Sequence, residues 1–268
     1  MERKLDDLLP ILGVENDLIL SRQGDITLVY KCELPELFTL SDRDYEAFHQ
    51  SWVKAIKVLP KHSVFHKQDW FIDSTYKGDY SKELSFLSRS SERFFNERPY
   101  LDHSCFIYVS KKPGGRKPAN SLLSGLVRRS VVPPNVLKPQ FLQEFLDSAG
   151  QFKKILEDSG FVRLKRITEE EIVSTQSKAG ILERYCYLLG KEEHLLPGDL
   201  ALRDGIRIGA NHGQLYTLGE AEYLPALCGS RINYDKYSTD KTKFSVGFAS
   251  PMGQLLSCNH IFNQFIFI

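Results

Sequence analysis

The sequence predicts an α+β fold, with mixed sheets made of hairpins and strand-helix-strand crossovers and with helices packed on the sheet. Two observations predict it. Short runs rich in β-formers, such as CFIYV at residues 105–109, alternate with stretches whose apolar residues recur at helical spacing. Other β-rich runs follow one another across a few turn residues, as around Arg22, Gln23 and Gly24, which a doubly wound parallel sheet does not do.

Taken in order, residues 17–21 and 25–32 form the two arms of that first hairpin. Ser41 is placed to cap DRDYEAFHQSWVKAIKVL, with Asp44 at the third helical position and Tyr45, Phe48, Trp52, Ile56 and Leu59 at helical spacing. Residues 64–72 read as a strand, 81–96 as a helix and 105–109 as a strand, a crossover whose strands share one sheet. A third helix over 139–159 opens on Pro139 and closes on Gly160. Residues 161–167 follow as a strand, and Thr168 with Glu171 makes a capping box for the next helical turn. In 205–218, IRIG and QLYTL alternate about Asn211, His212 and Gly213, which predicts a second hairpin turning there. Residues 244–248 and 261–268 complete the set of strands, and there is no internal repeat.

With 268 residues and 42% hydrophobic content, the chain can bury roughly 70 to 75% of its unfolded surface. Lys+Arg 35 against Asp+Glu 34 leaves a formal charge of +1, so the overall balance points neither to nucleic acid nor to an acidic substrate. Five cysteines without a CxxC pair argue against a disulfide framework and against a zinc ribbon, and fit a reducing, cytoplasmic compartment. MERKLDDLLPIL lacks the apolar core of a secretory signal. Residues 244–268 carry no Asp, Glu, Lys or Arg, but Pro251, Gln254, Asn259, His260, Asn263 and Gln264 interrupt them, which favours strands over a membrane helix. The closing CNHIFNQFIFI is too apolar for an uncovered strand, and is expected to be an interior strand of a longer protein.

No stretch supplies catalytic machinery. A P-loop needs Gly, four residues, then Gly-Lys and Ser or Thr; the nearest imitation, PGGRKP, has Ala119 where the second glycine belongs. GxGxxG and GxSxG are absent. His62 and His66 stand four apart in what reads as strand, where that spacing chelates nothing. His103 with Cys105, and Cys258 with His260, place an imidazole and a thiol on one strand face, and Tyr237 with Lys241 imitates a dehydrogenase pair without its helix. No catalytic, cofactor-binding or metal-binding residue is therefore assigned.

One charge feature stands out. Between Asp102 and Glu144 there is no acidic residue, while Lys111, Lys112, Arg116, Lys117, Arg128 and Arg129 accumulate among prolines and glycines. Such a loop reads as a solvated connection or as a contact for an anionic surface, either lipid headgroups or phosphates. It contains no aromatic residue for base stacking. It also divides the chain, so that 1–268 is one N-terminal domain or two subdomains, 1–110 and 139–268, joined by a basic Pro/Gly-rich loop at 111–138.

LDDLLPILGVENDLILSRQGDITLVYKCELPELFTLSDRDYEAFHQSWVKAIKVLPKHSVFHKQDWF, with FFNERPYLDHSCFIYVS after it, resembles the N-terminal region of the TraG-type conjugation-system ATPases of bacterial conjugative transposons, within the type IV secretion class. The resemblance runs along the chain and is strongest over residues 5–110. It implies a mixed α/β domain that precedes a RecA-like motor, with no motor in the present sequence. It further implies a role in DNA transfer between cells, at the cytoplasmic face of the bacterial inner membrane, docking on proteins of the secretion channel. ATP and Mg²⁺ are then expected only for the motor, and no cofactor for this chain. The rival readings are a nucleic-acid-binding domain that uses the basic loop, and an enzyme of unrecognised class built on residues such as His103, Cys105 and Tyr237.

Overall fold

A computed structural model describes residues 11–35, 40–81, 83–113, 139–175, 178–187, 200–201, 205–208, 211–213, 215–218, 243–251 and 263–267. Strand β1 (Ile11–Glu15) turns into β2 (Leu18–Ser21) through Asn16 and Asp17, whose φ values of 53° and 62° are those of a tight hairpin turn and suit Asn and Asp. The next turn leads to β3 (Ile26–Glu33). It is held by the Ser21 hydroxyl, which accepts from the Asp25 and Gln23 amides at 2.9 and 3.1 Å, with Gly24 at φ 85°.

Helix α1 (Asp42–Val58) starts on the expected capping box: Ser41 Oγ accepts from the Asp44 amide at 3.2 Å, and the Asp44 carboxylate from the Ser41 amide at 3.3 Å. Two long strands follow, β4 (Ser63–Thr75) and β5 (Pro99–Lys111), with helix α2 (Phe86–Phe95) between them. Helix α3 (Pro139–Asp158) buries Phe145, Ala149, Phe152 and Leu156, one apolar stripe at spacings of four and three, and ends before Gly160 at φ 76°. Then come β6 (Arg163–Arg166) and the short helices α4 (Glu169–Ile172) and α5 (Ile181–Tyr187).

The main sheet runs β1-β2-β3-β5-β4 and continues through β11 (Lys243–Pro251), β12 (Asn263–Phe267) and β10 (Leu215–Leu218), with β6 also on β3. Because β3, β4 and β6 are each reached through antiparallel pairs, β3 runs parallel to β4 with β5 between them, and β5 runs parallel to β6 with β3 between them. The unit β3-α1-β4-β5-α3-β6 is thus a ferredoxin-like split βαβ pair, with α2 inserted in its central hairpin. This confirms the α+β class. The crossover expected over residues 64–109 is instead an antiparallel hairpin, β4 paired directly with β5, and the crossovers are β3-α1-β4 and β5-α3-β6.

Alternation along the strands sends side chains to two cores. Leu28, Tyr30, Phe65, Ile107 and Val109 meet Ala55 and Leu59 of the α1 region and Phe145, Phe152 and Leu156 of α3. On the opposite face Val29, Trp70, Phe106 and Tyr108 are covered by Ile167, Ile172 and Ile181 around α4 and α5. The first core draws on both sides of the basic segment, and β6 and β11 add to strands from the first half. The division into subdomains 1–110 and 139–268 is therefore not how the chain packs.

One further expectation changes. Asn211, His212 and Gly213 are not a turn but strand β9 (Asn211–Gly213), paired with β8 (Ile206–Ile208) and, through it, with β7 (Leu200–Ala201). In the register Ile208 faces Asn211 and Ile206 faces Gly213, and β10 pairs instead with the apolar β12. Strand β12 is thus paired on both edges, with β11 and with β10.

Candidate interaction site on the β4–β5 arm

Strands β4 and β5 pair along all their 13 residues, from Ser63↔Lys111 to Thr75↔Pro99, a ladder about 40 Å long. Their neighbours stop earlier. Among the described residues, β3 accompanies β5 only as far as Cys105, and β11 accompanies β4 only as far as Ile72. The far end of the ladder therefore stands out from the sheet as an arm, and α2 sits at its tip. The ladder is extended by the Tyr76 amide, which donates to the Arg98 carbonyl at 3.0 Å, and by the Glu97 amide, which donates to Tyr76 at 2.8 Å.

Helix α2 starts at Ser85, whose hydroxyl accepts from the Ser88 amide at 3.3 Å, and closes at Asn96. Its seat on the arm is mainly polar, with the Phe95 ring also edge-on to Tyr76 at 6.4 Å between centroids. Glu92 accepts the Tyr76 hydroxyl at 2.8 Å and the Asp79 amide at 3.0 Å, and the Asn96 side chain accepts the Gly78 amide at 3.0 Å. The hydrogen bond to Glu92 also pushes the Tyr76 phenol above its ordinary pKa. The outer face is the reverse: Phe86, Leu87, Phe94 and Phe95 are 84, 75, 55 and 51% exposed, and no residue of α2 is buried. At 3.6 residues per turn, these four side chains spread over about half of the helix circumference. Tyr80 and Tyr100 are exposed as well, and the Arg98 guanidinium lies 3.6 Å from the centroid of the Phe94 ring. An apolar helix face without cover is a binding feature rather than a packing one.

The sequence-based candidates land elsewhere. Lys111 ends strand β5 and is only 8% exposed; its ammonium donates to the Lys61 carbonyl and lies 5.5 Å from the centroid of the Phe141 ring. Burial holds its pKa below the usual lysine value. Lys111 is thus removed from the anionic-surface candidates. Lys112 is exposed, its amide donating to the His62 carbonyl at 2.9 Å, while Arg116, Lys117, Arg128 and Arg129 lie outside the described residues. So do Tyr237, Lys241, Cys258 and His260.

His103 and Cys105 do share a strand face, and the register brings Asp69 opposite Cys105. His103 Nε2 is 2.9 Å from Asp69 Oδ1, and Lys67 pairs with the other carboxylate oxygen. Burial works to raise the Asp69 carboxyl, but the His103 hydrogen bond and the Lys67 ammonium hold it below the usual range. The contact with Cys32 and burial push the Cys105 thiol far up, away from the thiolate form. His66 faces the opposite core, stacked on Tyr108 at 5.3 Å, with its pKa pushed down to about 4 by burial. Among the described residues no group of three or more His, Cys, Asp or Glu side chains is disposed to hold a metal ion.

Residues 2–50 match a family described as "Domain of unknown function, B. Theta Gene description (DUF3875)". The match spans β1, β2, β3 and the first half of α1, and so stops before the arm. No curated protein matches the chain. Among the described residues no helix is long and apolar enough to cross a membrane.

The α2 face was not read from the sequence, although its signal is there. FLSRSSERFF places four large apolar side chains on ten residues, with arginine and glutamate on the remaining arc. Helical periodicity locates such a face without saying what covers it. Only the position of α2 at the end of a long hairpin shows that the sheet does not.

Proposed function

We propose that the chain is a non-catalytic docking and assembly domain, the N-terminal part of a conjugative DNA-transfer ATPase of the type IV secretion class. It seats the motor against inner-membrane channel components at the cytoplasmic face. The resemblance over residues 5–110 supplies the class. The observation that carries the docking role is the uncovered apolar face of α2, held out on an arm whose inner side is fixed by Tyr76, Glu92 and Asn96. On this reading ATP and Mg²⁺ belong to a motor encoded after Ile268, and reading the gene past that codon to a GxxxxGK[ST] string supports it.

The direct test is binding of the purified chain to the purified inner-membrane proteins of the same transfer system in detergent. Association with at least one of them is expected. Failure to bind any removes the docking role, and ATP binding at micromolar affinity by this chain removes its non-catalytic character.

A further inference from the structure

We propose that the surface engaged by α2 is the lipid bilayer itself: the helix lies in the interface of an anionic membrane, with Phe86, Leu87, Phe94 and Phe95 among the acyl chains. This refines the docking reading, in that α2 would hold the domain on the bilayer that contains the channel components, and it rests on that reading only for its cellular setting. Ten residues of helix span about 15 Å, half of a hydrocarbon core, so α2 can lie in the interface but cannot cross it. The residues are those of an interfacial helix, phenylalanine and leucine on one arc with arginine beside them.

Charge decides for an anionic surface. Arg89 and Arg93 project from the arc next to Phe86, and Arg98 lies over Phe94. The one carboxylate of the helix, Glu92, is turned inward to the Tyr76 hydroxyl and the Asp79 amide. Asp79 in turn accepts from the Ser81 amide and hydroxyl. Glu83 and Glu97 lie outside the helix, before its N-cap and after its C-cap. The apolar arc is thus bordered by cations along its edge next to Phe86, the arrangement that anionic headgroups complement. Tyr80 and Tyr100, both exposed, add the amphipathic rings favoured at headgroup level. Because the helix is already capped and seated on a hairpin, it need not fold on contact, which removes the ordering cost that free amphipathic peptides bear.

The experiment is vesicle flotation of the intact chain at low salt, with phosphatidylglycerol/phosphatidylethanolamine vesicles against phosphatidylcholine vesicles. Four proteins are compared: the unchanged chain, Phe86→Ser/Leu87→Ser, Arg89→Gln/Arg93→Gln, and Arg128→Ala/Arg129→Ala in the basic loop. The unchanged chain is expected to float with the anionic vesicles. The apolar pair should lower partitioning at least about tenfold, since two large side chains leave the acyl region. The arginine pair should abolish the preference for anionic over zwitterionic lipid, and the loop pair should leave α2-dependent binding in place. All altered side chains of α2 are exposed, so unchanged circular dichroism and melting temperature confirm that the fold is intact.

Wild-type partitioning by Phe86→Ser/Leu87→Ser overturns the proposal. If only the loop pair reduces flotation, the membrane contact belongs to the basic loop and α2 has another role, while the membrane-face reading stands. If the chain ignores vesicles but binds detergent-solubilised channel proteins through α2, the face docks protein: the lipid proposal fails and the docking function survives.

Discussion

The Tyr76 hydroxyl donates to the Glu92 carboxylate at 2.8 Å, joining the strand end of the arm to the inner side of α2. This bond, the Asp79 amide on the same carboxylate, the Asn96 contact to Gly78 and the edge-on contact of Phe95 with Tyr76 orient the helix, of which no residue is buried. Tyr76→Phe is expected to leave the melting temperature of the domain nearly unchanged and to loosen the tip alone. Hydrogen exchange checks it: the α2 amides should exchange several-fold faster, with those of β3 and α3 unaffected. Equal protection in α2 would show that the helix is held by something other than this seat.

A pH dependence follows from the second core. Burial beside Tyr108 holds the His66 imidazole at about 4, whereas an unfolded histidine titrates near 6.5. Between these values the unfolded chain takes up a proton that the folded chain refuses. The stability contributed by neutral His66 is therefore complete above about pH 6.5 and lost as the pH falls toward 4, a change on the order of 3 kcal/mol. Denaturant titrations of the unchanged chain and of His66→Gln, from pH 7 to pH 4.5, should show a shallower decline for the variant. Parallel declines would assign the acid sensitivity to other groups.

On the helix-covered face, the Asp69 carboxylate serves two partners, Lys67 and His103. Burial opposes the Lys67 ammonium, the neighbouring Cys105 and Asp69 favour it, and its pKa is raised on balance. Asp69→Asn leaves a largely buried ammonium without its counter-charge and should cost on the order of 1–3 kcal/mol, less than for a fully buried pair. Adding Lys67→Met to that variant removes the stranded charge and should restore part of the loss. Because the Asp69 pKa is depressed, its contribution is present above about pH 3.9 and disappears below it, a window separate from that of His66. A double-mutant cycle in urea measures the coupling directly, and additive losses would mean that the two side chains do not sense each other.

Local chemistry was readable in the sequence wherever a few neighbouring residues settle the structure. Ser41 with Asp44, Gly24 in its turn, and the Pro139 to Gly160 limits of α3 are of this kind. β1 went unread because ILGVE is short and broken by Gly13, although Asn16 and Asp17 are typical of a tight turn. Pairing across the chain was not readable: β5 extends back to Pro99 because β4 extends to Thr75, and β10 leaves its sequence neighbour β9 for β12. The Lys67, Asp69 and His103 cluster depends on a register between residues 34 apart. For α2 the composition was plain, but its exposure follows from where β3 and β11 stop.

The cover of the second core depends on a close approach at Gly180. A Cβ at that position would lie 2.4 Å from the Ile172 carbonyl oxygen, 2.5 Å from the Val173 carbonyl carbon and 2.7 Å from the Ser174 nitrogen. All three are backbone atoms, so no side-chain rotation relieves the clash. The Gly180 amide also donates to the Ser174 hydroxyl at 2.8 Å, and both contacts fix how α5 follows α4. Gly180→Ala is therefore expected to push α5 outward, at a cost of about 1–3 kcal/mol. The shift has a spectroscopic reporter. Trp70 is fully buried with the Arg184 guanidinium of α5 positioned 5.1 Å from its ring centroid, so displacement of α5 should admit water and shift tryptophan emission to the red. Comparison in a Trp52→Phe background isolates Trp70. An unshifted emission together with unchanged stability would mean that the α4–α5 corner accommodates a methyl group and does not depend on glycine.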